Sequence, residues 1–382
     1  MSELMVVTNA RIVTPERVIL GTVEVLKGAI VAVYRGTTAW RGAIDLDGDY
    51  LIPGLVELHT DNLEQTAQPR PGVKWPAMAA VIAHDAQVVA AGITTVFDAL
   101  AVGDISFHKT TPRRPARDLV GAIHGAVEQG LTRSRHHLHI RCEVGSEDLI
   151  TELEPMIDDP LVKLVSVMDH APGQRQYADL TSYKLWYETR YKMGEEELSA
   201  LMKRQIEASR TNGERQRKAV VDMCRKRRLP LASHDDATPE HVEQAVGEGG
   251  VIAEFPTTEE AARAAHARGL RVLMGAPNVV QGGSHSGNVS ALDLANRGLL
   301  DILSSDYIPS SLIQAAFALH FGTVRMSLPE AVATVSLTPA RAAGLTDRGE
   351  IAPGKRADIV RVRCPDSLPV VDQVWRGGDR VF

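Results

Sequence analysis

Residues 53–64, PGLVELHTDNLE, open as a buried strand and close on a cluster of metal-friendly side chains. Residues i and i+2 of an extended segment point the same way, so His59 and Asp61 are expected to offer an imidazole and a carboxylate to one place. The run is the first of a series. LVELHTD, ITTVFDA, HLHIRCE, VKLVSVMDH, LPLASHDD, GVIAEFP, RVLMGAPN and DILSSD alternate with helical stretches such as PAMAAVIAHDAQVVAAG, ERQRKAVVDMCRKRR and EEAARAAHARG. About eight such units in βα order predict an α/β fold, a distorted (β/α)8 TIM barrel, over residues 53–344.

The two ends of the chain follow a different grammar. Residues 1–52 carry short alternating runs (LMVVTNARIV, GTVEVLKGAIVAVY) broken by glycine, and GEIAPGKRADIVRVRC and VDQVWRGGDRVF repeat that pattern within residues 345–382. Both ends are therefore expected to build one small β-sandwich domain. The 382 residues suffice for a barrel of roughly 250 plus this smaller unit.

Composition narrows the function classes. No run approaches the roughly 18 apolar residues of a membrane span, and a net charge of -6 argues against a general nucleic-acid binder. Cys142, Cys224 and Cys364 are scattered, which suits a reducing cytosol and speaks against a disulfide framework or a cysteine zinc site. With no basic segment leading into an apolar one at the N-terminus, a cytoplasmic location is expected.

The β-rich runs end in His59 and Asp61, Asp98, Glu143, Asp169 and His170, His234 with Asp235 and Asp236, Asn278, and Asp306, with polar residues of this kind almost never in their interiors. Barrel enzymes build their sites at that end of the strands. His59, Asp61, His170 and His234 make a set suited to Zn²⁺, or to Mn²⁺ or Fe²⁺ if oxygen ligands dominate, as one ion or two. One strand-end histidine is more often structural; several at the same end of different strands argue for a shared divalent metal. Glu143 has two oxygens with which to bridge two ions, the alternative being a salt bridge with Arg141. Asp306 reads as a general base or weak metal ligand, the alternative being an N-cap for the helix SSLIQAAFALHF.

PGLVELHTD, the strand-end His170 and His234, SSD at 304–306 and the tail GEIAPGKRADIV resemble the amidohydrolase superfamily, whose barrels carry a β-domain assembled from both termini. HTDNLE (59–64), MDHAPGQRQ (168–176), SHDDAT (233–238), AEFPTT (253–258), LMGAPN (273–278), GGSHSGN (282–288) and ILSSDY (302–307) resemble, more narrowly, its diphosphatase branch of phosphonate utilisation. That resemblance implies a small-molecule substrate, a phosphorylated ribose phosphonate, whose 5-triphosphate is cleaved to release pyrophosphate. Asp306 would then orient the attacking water and take its proton. Asp61 departs from the superfamily's usual HxH, and no strand end presents a bridging lysine, so Glu143 would replace it. The superfamily resemblance alone would favour cyclic amide hydrolysis or deamination, and a non-catalytic scaffold would be expected to have lost its ligands.

Such a substrate needs cationic and N–H donors. Arg175, in Gly173-Gln-Arg175, is a candidate for a forked phosphate contact. Ser284, His285 and Asn288, in the glycine-rich loop 282–288, are candidate hydrogen-bond donors, although such a loop is by itself usually a turn. Tyr177, Tyr183, Trp186, Tyr187 and Tyr191 crowd one segment. A lid over the substrate and a helix packed on the barrel, or on the second subunit of a homodimer, are both open readings.

Overall fold

In this computed structural model residues 4–70, 72–103, 105, 115–177, 180, 183–184, 193–284 and 287–382 are described. Eight parallel strands lie in chain order in one sheet: Leu55–Thr60, Ile93–Val102, Arg135–Glu143, Val162–Met168, Leu231–His234, Ile252–Glu254, Arg271–Gly275 and Ile302–Ser304. They coincide with the eight runs read from the sequence. The barrel closes between the eighth strand and the first, where Thr60 bridges Asp306, the Asp306 N–H donates to His59 O (3.1 Å) and the Asp61 N–H to Asp306 O (3.0 Å).

Closure leaves a lumen that must be filled. Val56, Leu58, Phe97, Leu164, Ala232, Ile252, Leu273 and Ile302 form one apolar cluster drawn from every barrel strand except the third. The third strand instead alternates Arg135, His137, His139, Arg141 and Glu143 along one of its faces. The outer layer includes the helices Ala77–Ala90, Ala116–Glu128, Glu195–Arg227, Pro239–Glu248 and Glu259–Ala267. Alanine-rich faces bring some of them close, and Thr238 and Thr258 cap their helices by accepting the N–H of His241 and Ala261.

The chain ends meet in a second sheet. Ile359–Arg363 pairs antiparallel with Tyr50–Pro53, which joins Met5–Val13, Val18–Leu26 and Ala29–Arg35 on one side to Val370–Arg376 on the other. Ile52, Val360, Val362 and Val374 belong to the same hydrophobic cluster as barrel-side residues such as Val88 and Leu312, so this sheet packs directly on the barrel. Gly54 is the step between the two sheets. A Cβ there would lie 2.2 Å from Thr94 Oγ1, so only glycine lets the chain pass.

Two expectations need correction. The second strand runs on to Val102, so Asp98 lies in its interior, and its carboxylate faces His84 and His136 instead of the mouth. Chemistry-bearing residues also occur well inside strands, at Glu57, His136 and His139, because the lumen and the helix-facing wall each bury a polar network. Of the aromatic segment, Tyr177 and Tyr183 are described. Tyr183 is buried against Leu198 and Leu201 of the 33-residue helix Glu195–Arg227, stacks edge-on with Tyr177, and donates its hydroxyl to Gln205. Trp186, Tyr187 and Tyr191 lie outside the described residues.

Candidate metal and active site

Strand ends become a site because the backbone turns sharply across the mouth. Asp235, Phe255 and Asp306 follow the fifth, sixth and eighth strands, and all three have left-handed φ values of 51–55°. Non-glycine residues hold that conformation only where the surroundings enforce it. Here each N–H donates to a carbonyl of the neighbouring strand: Asp235 to Glu254 O (2.8 Å), Phe255 to Leu273 O (2.8 Å) and Asp306 to His59 O (3.1 Å).

Glu254, from the sixth strand, is the hub. Its Oε1 is 3.2 Å from His59 Nδ1, and its Oε2 is 3.2 Å from His234 Nδ1 and 3.7 Å from His139 Nε2. Burial alone would raise the pKa of Glu254, but His139 and His59 outweigh it and hold the carboxyl well below its ordinary value. An ionised Glu254 makes His59 and His234 donate through Nδ1. Burial also depresses the His59 pKa to about 3, so that ring is neutral and its Nε2 carries a lone pair. His139 donates Nδ1–H to Leu58 O (2.9 Å), and its Nε2 accepts from the Ser166 hydroxyl (2.9 Å).

His170 and Asp235 complete the other half. His170 gives Nδ1 to Glu143 Oε2 (2.7 Å), and its backbone N–H meets Glu143 Oε1 (3.2 Å). Asp235 Oδ2 lies 3.4 Å from His234 Nε2 and 3.5 Å from His170 Nε2. Burial works against a charged His170, yet Glu143 and Asp235 outweigh it and push its pKa up to about 10.

The arrangement fits a divalent cation. Each of four imidazoles orients its Nδ1 on a carboxylate or carbonyl oxygen and turns Nε2 elsewhere, the orientation that metal-binding histidines receive from their supporting partners. His59, His139 and Glu254 each offer one ligand atom within 4.8 Å of the others, as do His170, His234 and Asp235. All of these donors are nitrogen or oxygen, the set suited to zinc and neighbouring first-row metals.

Asp306 stands at the rim of the mouth. Burial, then the nearby charge of Asp61, raise its pKa to about 7. Asp61 precedes the helix Asn62–Ala67 and accepts from Gln65 Nε2 (2.9 Å). Glu57 is held near 7 as well, chiefly by burial, and accepts the N–H groups of His59 (2.7 Å) and Ser305 (2.5 Å), clamping the first strand to the eighth below the site.

Residues 50–381 match the amidohydrolase family. The chain belongs to that family. Over 379 residues, 99% of this amidohydrolase and 100% of its relative, it is 44% identical to the alpha-D-ribose 1-methylphosphonate 5-triphosphate diphosphatase of Escherichia coli (strain K12). Among solved structures it shares its fold with 5-methylcytosine deaminase from Klebsiella pneumoniae (TM-score 0.66, 15% identity, covering 99% of this chain and 98% of that one). It also resembles the N-acetyl-D-glucosamine-6-phosphate deacetylase of Mycobacterium smegmatis (TM-score 0.64, 16% identity, covering 100% of both chains).

Within this amidohydrolase the expected residues find unequal places. His59, His170 and His234 converge as described, and Asp61 and Asp306 sit beside them. Glu143 lies one layer out, with both oxygens engaged by His170. Arg175 is buried and its Nη1 donates to Asp236 and to His234 O (3.4 Å), while Nη2 donates to Gln244 Oε1 (3.1 Å), so its fork braces the end of the fifth strand. Ser284 and Asn288 are half-buried on a loop pinned by the Val289 N–H to Thr257 O (3.0 Å) and by Asn278, which accepts from the Ala291 N–H (3.0 Å). His285 lies outside the described residues.

The sequence reading missed His139 and Glu254. Both had a signal. His139 falls two residues from Arg141 and four from Glu143 on one strand face, and Glu254 is a carboxylate closing a fully buried three-residue strand, where a charge persists only if it is paired.

Proposed function

We propose that this amidohydrolase hydrolyses α-D-ribose 1-methylphosphonate 5-triphosphate to its 5-phosphate and pyrophosphate. The observation that carries this reading is the 44% identity over essentially the full length of both chains to the diphosphatase of Escherichia coli (strain K12). The likeness to the deaminase and the deacetylase, at 15% and 16% identity, bears on fold alone.

In the proposed reaction the oxygen of water bonds to the α-phosphorus while the anhydride P–O bond to the β-phosphate breaks, and pyrophosphate leaves with the bonding electrons. His170, His234 and Asp235, with His59 and His139 beside them, would hold a divalent metal, zinc by its donor set, as one ion or two. When bound, such an ion supplies Lewis acidity toward water and phosphoryl oxygen. Asp306 orients the water and accepts its proton; a carboxyl held near 7 by burial and by Asp61 suits a base that works close to neutral pH. Glu143 fixes the tautomer and angle of His170, and Glu254 does the same for His59 and His234. Ser284 and Asn288 are offered as donors to the substrate's anionic groups from the rim loop.

Phosphorus NMR of the 5-triphosphorylated ribose phosphonate incubated with purified protein, alongside elemental analysis for bound metal, tests the proposal. Stoichiometric pyrophosphate and 5-phosphate are expected. Release of inorganic phosphate alone, or an unchanged triphosphate with a metal-replete protein, would refute it.

A further inference from the structure

Arg141 shares a face of the third strand with His139 and Glu143, and its side chain is only 12% exposed. Among the described residues its guanidinium makes two polar contacts, both long: Nη1 lies 3.4 Å from His59 Nε2, and Nη2 lies 3.4 Å from Glu64 Oε2. Its Nε is buried with no acceptor among the described residues. A guanidinium carries five N–H donors in a rigid fork, so most of its capacity is unanswered in a place where water is scarce. Buried donors are normally paired, and those of a charged group most of all.

The surroundings say what the missing partner is. Glu64 already has an anchor, since its Oε1 accepts the Ala101 N–H (3.1 Å). Arg141 therefore sits on a fixed carboxylate with much of its fork unfilled, beside the imidazoles of the candidate metal site. Its charge also bears on Asp306, where it opposes the upward pull of burial and Asp61. Arg175, by contrast, has its fork filled by Asp236 and Gln244.

We propose that Arg141 is the substrate-binding cation of the site, its unfilled N–H groups receiving two oxygens of a phosphate in the triphosphate chain while Glu64 holds the guanidinium through Nη2. The inference rests on the triphosphate reading above and names the residue through which that substrate class is selected over neutral ones. Planar, bidentate recognition of phosphate is what distinguishes arginine from lysine at such a position.

The test uses the full-length, metal-replete protein and the variants Arg141→Gln, Arg141→Lys and Glu64→Gln. Wild-type turnover is scored first: no pyrophosphate there overturns the proposed reaction, while calorimetric binding of inorganic pyrophosphate still tests Arg141 by itself. For Arg141→Gln a loss of roughly 10- to 100-fold in kcat/KM is expected, carried mainly by KM, with a matching loss of pyrophosphate affinity and unchanged metal content. Arg141→Lys should recover little, and added guanidinium should restore part of the Arg141→Gln activity where ammonium does not. The proposal is overturned if Arg141→Gln binds pyrophosphate as wild type does. It also fails if Arg141→Lys is fully active, or if Glu64→Gln reproduces every defect, because Arg141 would then be a tie to Glu64 and nothing more. Should Arg141→Gln not fold, Arg141→Lys decides by the same comparison.

Discussion

At the mouth of the barrel, His59, His139, His170 and His234 gather around Glu254 and Asp235; in its wall, His84 and His136 gather around Asp98 and Asp85. The two clusters use the same chemical parts, and in both of them imidazole and carboxylate atoms come within 4.8 Å of one another, although His170 at the mouth is only half-buried. Their hydrogen bonds differ. In the wall, Asp98 accepts from His84 Nε2 (2.7 Å) and His136 Nδ1 (2.8 Å), and His136 Nε2 faces Asp85 Oδ1 (3.2 Å). His84 Nδ1 receives Asn62 Nδ2 (2.9 Å), and Asp85 also accepts the N–H groups of Arg133 and Ser134. Every ring nitrogen is matched, so no lone pair is left for an ion. At the mouth, His170 and His234 both turn Nε2 toward the same oxygen of Asp235, and that convergence is what a cation resolves. Proximity therefore does not separate a structural network from a candidate metal site; the meeting of two Nε2 atoms on one carboxylate oxygen does.

The sharpest way to break the comparison is to ask which cluster the metal needs. Dialysis against a chelator is expected to bring pyrophosphate release to background and a divalent metal to restore it, and His234→Ala should lose most bound metal by elemental analysis. If Asp98→Asn lost the metal instead, the assignment of roles would be reversed. Next in size, Asp306→Asn should lower kcat by about 10²–10⁴-fold, the usual contribution of a positioned base, while metal content stays near the wild-type level. Substantial remaining turnover would remove Asp306 from the role of base.

In the wall the expected effects fall on stability. Asp98→Asn leaves a buried imidazolium at His136 with one of its two carboxylates, Asp85, and urea unfolding should show a loss of about 3 kcal/mol, with kcat per folded molecule nearly unchanged. A smaller effect sharpens the same point through pH. Burial opposes the charged form of His136, but Asp98 and Asp85 outweigh it and set its pKa at about 9, above the ordinary value of 6.5. The folded state thus binds this proton more tightly than the unfolded chain does. The contribution of His136 is complete below pH 6.5 and declines as pH rises through about 9. Unfolding free energies measured between pH 6 and 10 should show this decline in the wild type and a flatter profile in His136→Gln; parallel profiles would mean that His136 is not the group responsible.

Much of this was legible before any coordinates. The eight runs announced themselves because parallel strands covered on both sides are nearly continuous apolar stretches, and the glycine-broken alternation of the two ends marked the second sheet. His59, His170 and His234 stood out as polar residues closing apolar runs. Glu254 did not, because its run continues into Phe255 and Pro256 and hides where the strand ends, and His139 did not, because a residue inside a run gives no hint of whether it faces the lumen or the helices. Asp98 misled for the same reason: ITTVFDA resembles a strand that ends at its carboxylate, yet the strand continues through LAV and the carboxylate turns outward.

The sequence by itself determined the order of elements, the pairing of the two termini and the end of the barrel at which the candidate site gathers, since periodicity and chain order are local properties. Only the tertiary structure decided which imidazoles share a carboxylate, that Glu143 supports His170 from one layer out, that the fork of Arg175 is filled while that of Arg141 is not, and that Asp306 rests beside Asp61. Those outcomes depend on which side chains meet across strands far apart in sequence, and on burial that strengthens each unmatched charge, and no local pattern encodes either.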